Sequence, residues 1–202
     1  MQGTTAATAS YAAGVVRPRS NVIGFDDAPF ARSHRGDVML VGTICSRTRL
    51  DGVVSGRVRR DGKNATSRIA ELVENSQFVG HLQALLLQGI AVAGFNVVDV
   101  HALHARLGLP VLVVARKPPD LPAMRRALVS RVPGGERKWK LVQAAGPMEP
   151  LRGILVQRIG LSRAEADALL RATTLHGKLP EAIRLAHLIA AGVTEGTSRG
   201  RA

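Results

Sequence analysis

The chain has 202 residues, 46% hydrophobic and 21% charged, which suits one folded domain with a good core and excludes a fibrous or fully disordered protein. Lysine and arginine number 28 against 15 acids, and the formal charge of +13 favours a polyanionic partner, most simply nucleic acid. The lone cysteine, Cys45, excludes an internal disulfide and a four-cysteine zinc site, which fits a reducing cytoplasm.

Residues 1–20 are rich in Ala, Thr and Ser, and their only cations, Arg17 and Arg19, follow the mildly apolar part. A secretory signal has the opposite order, so a disordered tail is expected, with residues 21–202 as a single domain. Asn21–Gly24 reads as a strand that runs into Phe25, Asp26 and Asp27 and must stop before Pro29, which cannot donate to a ladder. Successive strand side chains face opposite ways, so only one of the two acids can enter a given site. A carboxylate at a strand end is a common holder of divalent metal; the simpler reading is a polar turn.

Asp37–Ser46 and Leu50–Arg59 are strand-like with short connections, and with the first strand they predict an antiparallel meander. Arg57, Arg59 and Arg60 line the third strand and its exit, and Asp61 marks the junction with a helix capped by Asn64. Leu82–Ile90 has the continuous apolar character of a strand buried on both faces, with Gln88 at its end. The run Ala84–Val100, broken by Gln88, two glycines, Asn96 and Asp99, is unsuited to crossing a membrane. Gly94–Leu107 reads as a helix carrying Asn96 and Asp99 on one turn. Val111–Ala115 is a second buried strand, leading to Arg116 and Lys117. Strand, helix, strand requires a right-handed parallel crossover.

The remainder is mainly helical. Leu121–Val132 carries Arg125 and Arg126, and a second helix follows Gly134-Gly135. Leu151–Ile159 reads as one strand, Ser162 and Glu165 form a capping box, and the last helix spans Pro180–Ala191. On that helix Glu181, Arg184 and His187 recur every three residues, as a site row or as a surface ion-pair row with one packed His.

This order predicts an α/β, ribonuclease-H-like fold: a mixed five-stranded sheet flanked by helices, first strand central, with a C-terminal helical extension. The ends of the first and fourth strands then meet, bringing Asp26 (or Asp27) beside Gln88, with Asp61 entering from the third strand's exit. Such a cluster suits Mg or Mn acting on a phosphodiester, with Lys117 placed to meet a phosphate. Aromatic residues are only 3%, so nucleic acid is expected to be held through phosphates by Arg57, Arg59, Arg116, Lys117, Arg125 and Arg126 rather than by stacked bases. Asn96, Asp99, Glu181, Arg184 and His187 are secondary candidates.

Five stretches carry a more specific signal: GFDDAPF (Gly24–Phe30), LDGVVSGRVRRDGKNAT (Leu50–Thr66), LLLQGIAVAGFNVVDV (Leu85–Val100), GLPVLVVARKPPD (Gly108–Asp120) and LPEAIRLAHLIAAGVTEGTSRGRA (Leu179–Ala202). Together they resemble the domain-of-unknown-function family ninety-nine, also called endonuclease dU, a relative of endonuclease V. The resemblance implies a metal-dependent endonuclease acting on DNA that contains a deaminated base such as deoxyuridine. Asp26 resembles the first-strand metal Asp of endonuclease V, and Asp61 the position of its Glu. Gln88 stands where the relatives carry an Asp, in a Leu-Leu-Asp-Gly context, which implies a weakened third metal position. Lys117 resembles the post-strand Lys loosely, Arg116 being the alternative, and the Pro-Tyr-Ile-Pro wedge of endonuclease V is missing. A function of another class follows from the same departure: a non-catalytic nucleic-acid-binding protein. No GxGxxG or P-loop pattern supports a nucleotide-binding α/β protein.

Overall fold

A computed structural model describes residues 19–198. The tail expected over residues 1–20 thus lies almost wholly outside the described residues, as do the last four. The meander forms as expected from β1 (Asn21–Asp27), β2 (Asp37–Ser46) and β3 (Arg49–Arg59), paired antiparallel. After α1 (Ala65–Glu74), the apolar strand β4 (Ala84–Gln88) pairs parallel to β1. A small hairpin of β5 (Ala91–Val92) and β6 (Asn96–Val97) precedes α2 (Val100–Leu107), and β7 (Val111–Ala115) then lies parallel to β4. Helices α3 (Leu121–Arg131) and α4 (Gly135–Ala144) follow, then β8 (Glu149–Leu151), β9 (Ile154–Ile159), α5 (Arg163–Thr173) and α6 (Glu181–Glu195).

The main sheet has seven strands, ordered β3-β2-β1-β4-β7-β9-β8, where five were expected. The segment read as one strand, Leu151–Ile159, is a hairpin turning at Arg152-Gly153, both at positive φ (50° and 77°), and β9 adds antiparallel to β7. Such a two-residue turn matches the twist of its flanking strands. β1 is central, as expected, with partners on both sides.

Four other expectations are corrected. The helix read over Gly94–Leu107 begins only at Val100, because Gly94 sits at φ 81° in the tip of the β5–β6 hairpin. Asn96 is therefore a buried strand residue, and Asp99 caps α2 by accepting from Ala102 N. Asn64 occupies the residue before α1 but its side chain does not cap the helix; Oδ1 instead accepts from Arg59 N and Asn96 Nδ2. Helix α6 runs through Gly192 to Glu195 and stops at left-handed Gly196. The Ser162–Glu165 capping box is present.

Alternation along the strands divides the core. Ile23, Phe25, Leu85, Leu87, Val111 and Val113 face α1 and α2, while Val22, Leu86, Leu112 and Val114 face α5 and α6. Gly24 lets α6 close on the sheet, since a Cβ there would sit 2.6 Å from the Ala182 carbonyl carbon and 2.8 Å from Ile183 N. Among the described residues no helix is long and apolar enough to cross a membrane.

Candidate active site

Strands β1, β3, β4 and β7 all run in one direction, so their C-terminal ends share one edge of the sheet. That edge collects Asp26 and Asp27 from β1, Arg57 and Arg59 from β3, Asp61 just beyond, Gln88 from β4, and Arg116 and Lys117 after β7. Most of the residues singled out from the sequence are gathered by this one topological fact.

The register sets their orientation. Phe25 pairs with Leu87, so Asp26 and Gln88, one step further along parallel neighbours, stand side by side. Asp26 shares the α6 side of the sheet with Val22 and Gly24, and Gln88 shares it with Leu86. Asp26 is 5% exposed, and its Oδ2 lies 2.8 Å from His187 Nδ1 on α6. Burial holds the Asp26 carboxyl above its ordinary range, against the pull of His187 and the Arg116 charge, which favour the ionised form. Gln88 Oε1 is buried with no hydrogen-bond partner. An orphaned acceptor beside a carboxylate costs free energy unless a cation or donor meets it.

Asp27 faces the other way. Its carboxylate accepts from the Ala93 backbone amide, and its pKa is pushed up to about 6, first by burial and then by the neighbouring Asp26 charge. Ala93 O in turn accepts from Asp61 N at 2.9 Å, so Asp61 is tied to Asp27 through one residue at the β5–β6 turn. The Asp61 carboxylate is already engaged: Oδ1 accepts from Phe95 N at 2.8 Å, and Oδ2 pairs with Arg60 Nε at 3.2 Å. A Cβ at Gly94 would lie 2.5 Å from that Oδ1, so glycine is required for the contact. Asp61 itself has φ 50°, an unusual backbone for a non-glycine residue.

The row expected along α6 is split. Glu181 is buried and forms a two-pronged ion pair with Arg184 near Cys45, at the opposite end of the sheet from Asp26, and only His187 reaches the acids. Steps of three residues drift by about 60° each around a helix, so the first and third members do not share a face. Asn96 is structural, holding Ala65 N, Arg59 O and Asn64. Arg125 and Arg126 are exposed on α3, Lys117 is exposed past β7, and Arg59 pairs with Asp37 at 3.6 Å. Sequence reasoning overlooked Ala93 and Lys138; the buried Lys138 ammonium donates to the Asp61 carbonyl.

Next to Gln88 opens a cavity of about 810 Å³, lined by Gly89, Ile90, Ala115, Met124, Trp139 and Met148 among others. Its wall is largely apolar, and Gly89 and Ala115 place it at the sheet edge that carries the acids.

The profile of the family described as Endonuclease dU matches residues 18–194. The chain belongs to the endonuclease dU family. A UPF0215 protein of Deinococcus radiodurans is 59% identical over 90% of this chain and 93% of its own length. One from Methanothermobacter thermautotrophicus is 40% identical, covering 93% and 94%. Among solved structures, a protein of unknown function from Archaeoglobus fulgidus superposes with a TM-score of 0.81 at 28% identity, covering 87% of this chain and 98% of that one. Endonuclease V of Ciona intestinalis, solved with a 24mer DNA containing an inosine followed by a ribo-adenosine, gives 0.54 at 14% identity over 83% of each chain. The endonuclease dU chain thus has the ribonuclease-H-like fold of endonuclease V.

The metal that such a fold implies can be tested against the donors present. Among the described residues no group of three or more His, Cys, Asp and Glu is gathered closely enough to hold an ion. A site built on Asp26, with the unpaired Oε1 of Gln88 beside it and His187 behind, still fits Mg or Mn, which often take one or two carboxylates and complete their shell with water and phosphate.

Proposed function

We propose that this protein is a metal-dependent phosphodiesterase of nucleic acid, an endonuclease that acts on DNA carrying a deaminated base. The observation that carries the reading is the buried Asp26 at the sheet edge, bonded to His187 and flanked by the orphaned Oε1 of Gln88. Asp26 and Gln88 would hold Mg or Mn, and a divalent ion there supplies electrostatic stabilisation of charge developing on phosphodiester oxygens. His187 bonds Asp26 through Nδ1, which leaves Nε2 to take or deliver a proton. Arg116 and Lys117 receive the phosphate, while Asp61 braces the β5–β6 hairpin with its carboxylate already spent on Phe95 N and Arg60. The cavity of about 810 Å³, with Trp139 in its wall, has the size and apolar lining to take an unstacked base.

A second reading has its own support. With Gln88 neutral and the acids of β1 facing opposite ways, metal affinity is low, and the same edge would serve as a non-catalytic nucleic-acid-binding surface. Incision of deoxyuridine- and deoxyinosine-containing strands, in Mg or Mn and in EDTA, separates the two. The endonuclease reading expects metal-dependent cleavage that Asp26→Asn removes; binding that persists in EDTA without cleavage in any metal favours the other.

A further inference from the structure

A second cavity, of about 690 Å³, lies between α1, the start of α2 and α4, on the side of the sheet away from His187. Its charge is unbalanced. Lys63, Arg137 and Lys138 line it, and none of the three forms an ion pair among the described residues. Arg106, at the rim, is neutralised by Glu74 at 2.6 Å. The one acid in the wall, Asp99, spends Oδ1 on the cap of α2.

Lys138 is the telling member. It is 5% exposed, yet its ammonium makes one hydrogen bond, to the Asp61 backbone carbonyl, and the nearby Asp61 carboxylate is taken by Arg60. Burial lowers its pKa, and two of its three donors are left over. A buried cation whose one nearby carboxylate is already paired with Arg60 is costly unless a further anion supplies the missing charge.

The opening turn of α1 supports the same occupant. Asn64 precedes the helix but does not cap it, since its Oδ1 is occupied by Arg59 N and Asn96 Nδ2. Asn96 Oδ1 accepts from Ala65 N, while Thr66 and Ser67, whose amides have no side-chain cap, line the cavity. Thr66 Oγ1 accepts from Asp99 N, which leaves its hydroxyl proton to donate. Helix-end amides, a hydroxyl and three cations around one space are the donors that a phosphate takes.

We propose that this cavity is a phosphate-binding site distinct from the Asp26 edge, and that its ligand is a nucleotide phosphate, either of a free nucleotide or of a nucleic-acid backbone. The volume exceeds that of a bare phosphate, and Val97, Pro133 and Leu141 give the rest of the ligand an apolar wall. The inference stands on this cavity alone and does not require the protein to cleave anything.

The test is calorimetric titration of the full chain in EDTA with inorganic phosphate, AMP and a short single-stranded oligonucleotide. Wild type is compared with the Lys63→Ala/Arg137→Ala double variant, both positions being exposed, and with Asp26→Asn. A free nucleotide as ligand predicts saturable AMP binding that weakens about 10–100-fold in the double variant and is unchanged in Asp26→Asn. A backbone phosphate as ligand predicts that oligonucleotide affinity falls instead, with a salt slope lower by about 0.7 for each lost contact. If the double variant, folded by circular dichroism, binds all three probes as wild type does, or if none of them binds wild type, the proposal is overturned.

Discussion

His187 Nδ1 and Asp26 Oδ2, 161 residues apart in sequence, lie 2.8 Å from each other across the interface of α6 and β1. The contact follows from a match of two repeats. Gly24 packs against the Ala182–Ile183 backbone, and from there four helical residues rise about 6 Å while two strand residues rise about 6.6 Å. His187 therefore arrives at the height of Asp26. If His187 moves a proton during cleavage, His187→Ala lowers single-turnover incision by about 10²–10⁴-fold, while oligonucleotide affinity in EDTA is unchanged. An equal loss of both would assign His187 a structural role.

The same interface gives a stability prediction. Gly24→Ala places a methyl group within 2.6–2.9 Å of three α6 atoms, none of them a flexible side-chain end. Helix α6 must lift, at a cost of about 1–3 kcal/mol. Urea unfolding should show a lower midpoint and an unchanged slope, and incision should fall further than stability because His187 is carried away from Asp26.

Asp27 makes stability depend on pH in an unusual direction. Its carboxyl rises from 3.8 to about 6, so between about pH 4 and pH 6 the folded chain holds a proton that the unfolded chain has released. Stability attached to that proton is full at the low end and is lost as pH rises through about 6, by roughly 2–3 kcal/mol. Asp26 shifts the same way and adds to the slope. Asp27→Asn should flatten the dependence in EDTA, as read from denaturation midpoints across this range. An identical slope in the variant would assign the effect to Asp26 alone.

Phosphate binding at the β7 exit predicts a counterion effect. Lys117→Ala should weaken oligonucleotide binding about equally for all sequences and reduce the slope of log K against log salt by about 0.7–0.9. An unchanged slope would remove Lys117 from the contact surface.

Much of this architecture was legible from local composition. β1 was readable from Val22, Ile23 and Phe25 stopped by Pro29, and β4 and β7 from apolar runs too short for helices. Those strands fixed the shared edge, and with it Asp26 beside Gln88. The β5–β6 hairpin was not readable, because two-residue strands carry no period and the residues after Gly94 mimic a helical one. Its loss concealed the Asp27–Ala93–Asp61 chain. The pairing of His187 with Asp26 was hidden for a different reason: a glycine in a strand does not say which helix will use the space it leaves. β9 was read as part of one strand, Leu151–Ile159, but not as a member of the sheet, and β8 escaped because Arg152-Gly153 lacks the usual Asn or Asp of a tight turn.

In the proposed reading, Gln88 is the residue on which enzyme and binding protein part. Its unpaired Oε1 beside Asp26 offers a cation one neutral oxygen where a carboxylate would add charge. The decisive measurement is a manganese titration of wild type, Gln88→Asp and Asp26→Asn, following metal affinity and single-turnover cleavage of a deoxyuridine- or deoxyinosine-containing strand. The account predicts weak affinity and slow cleavage in wild type, both raised by Gln88→Asp, and cleavage lowered more than about a hundredfold by Asp26→Asn. A folded Gln88→Asp protein with no gain in either quantity would contradict it, and the metal would then have to sit elsewhere.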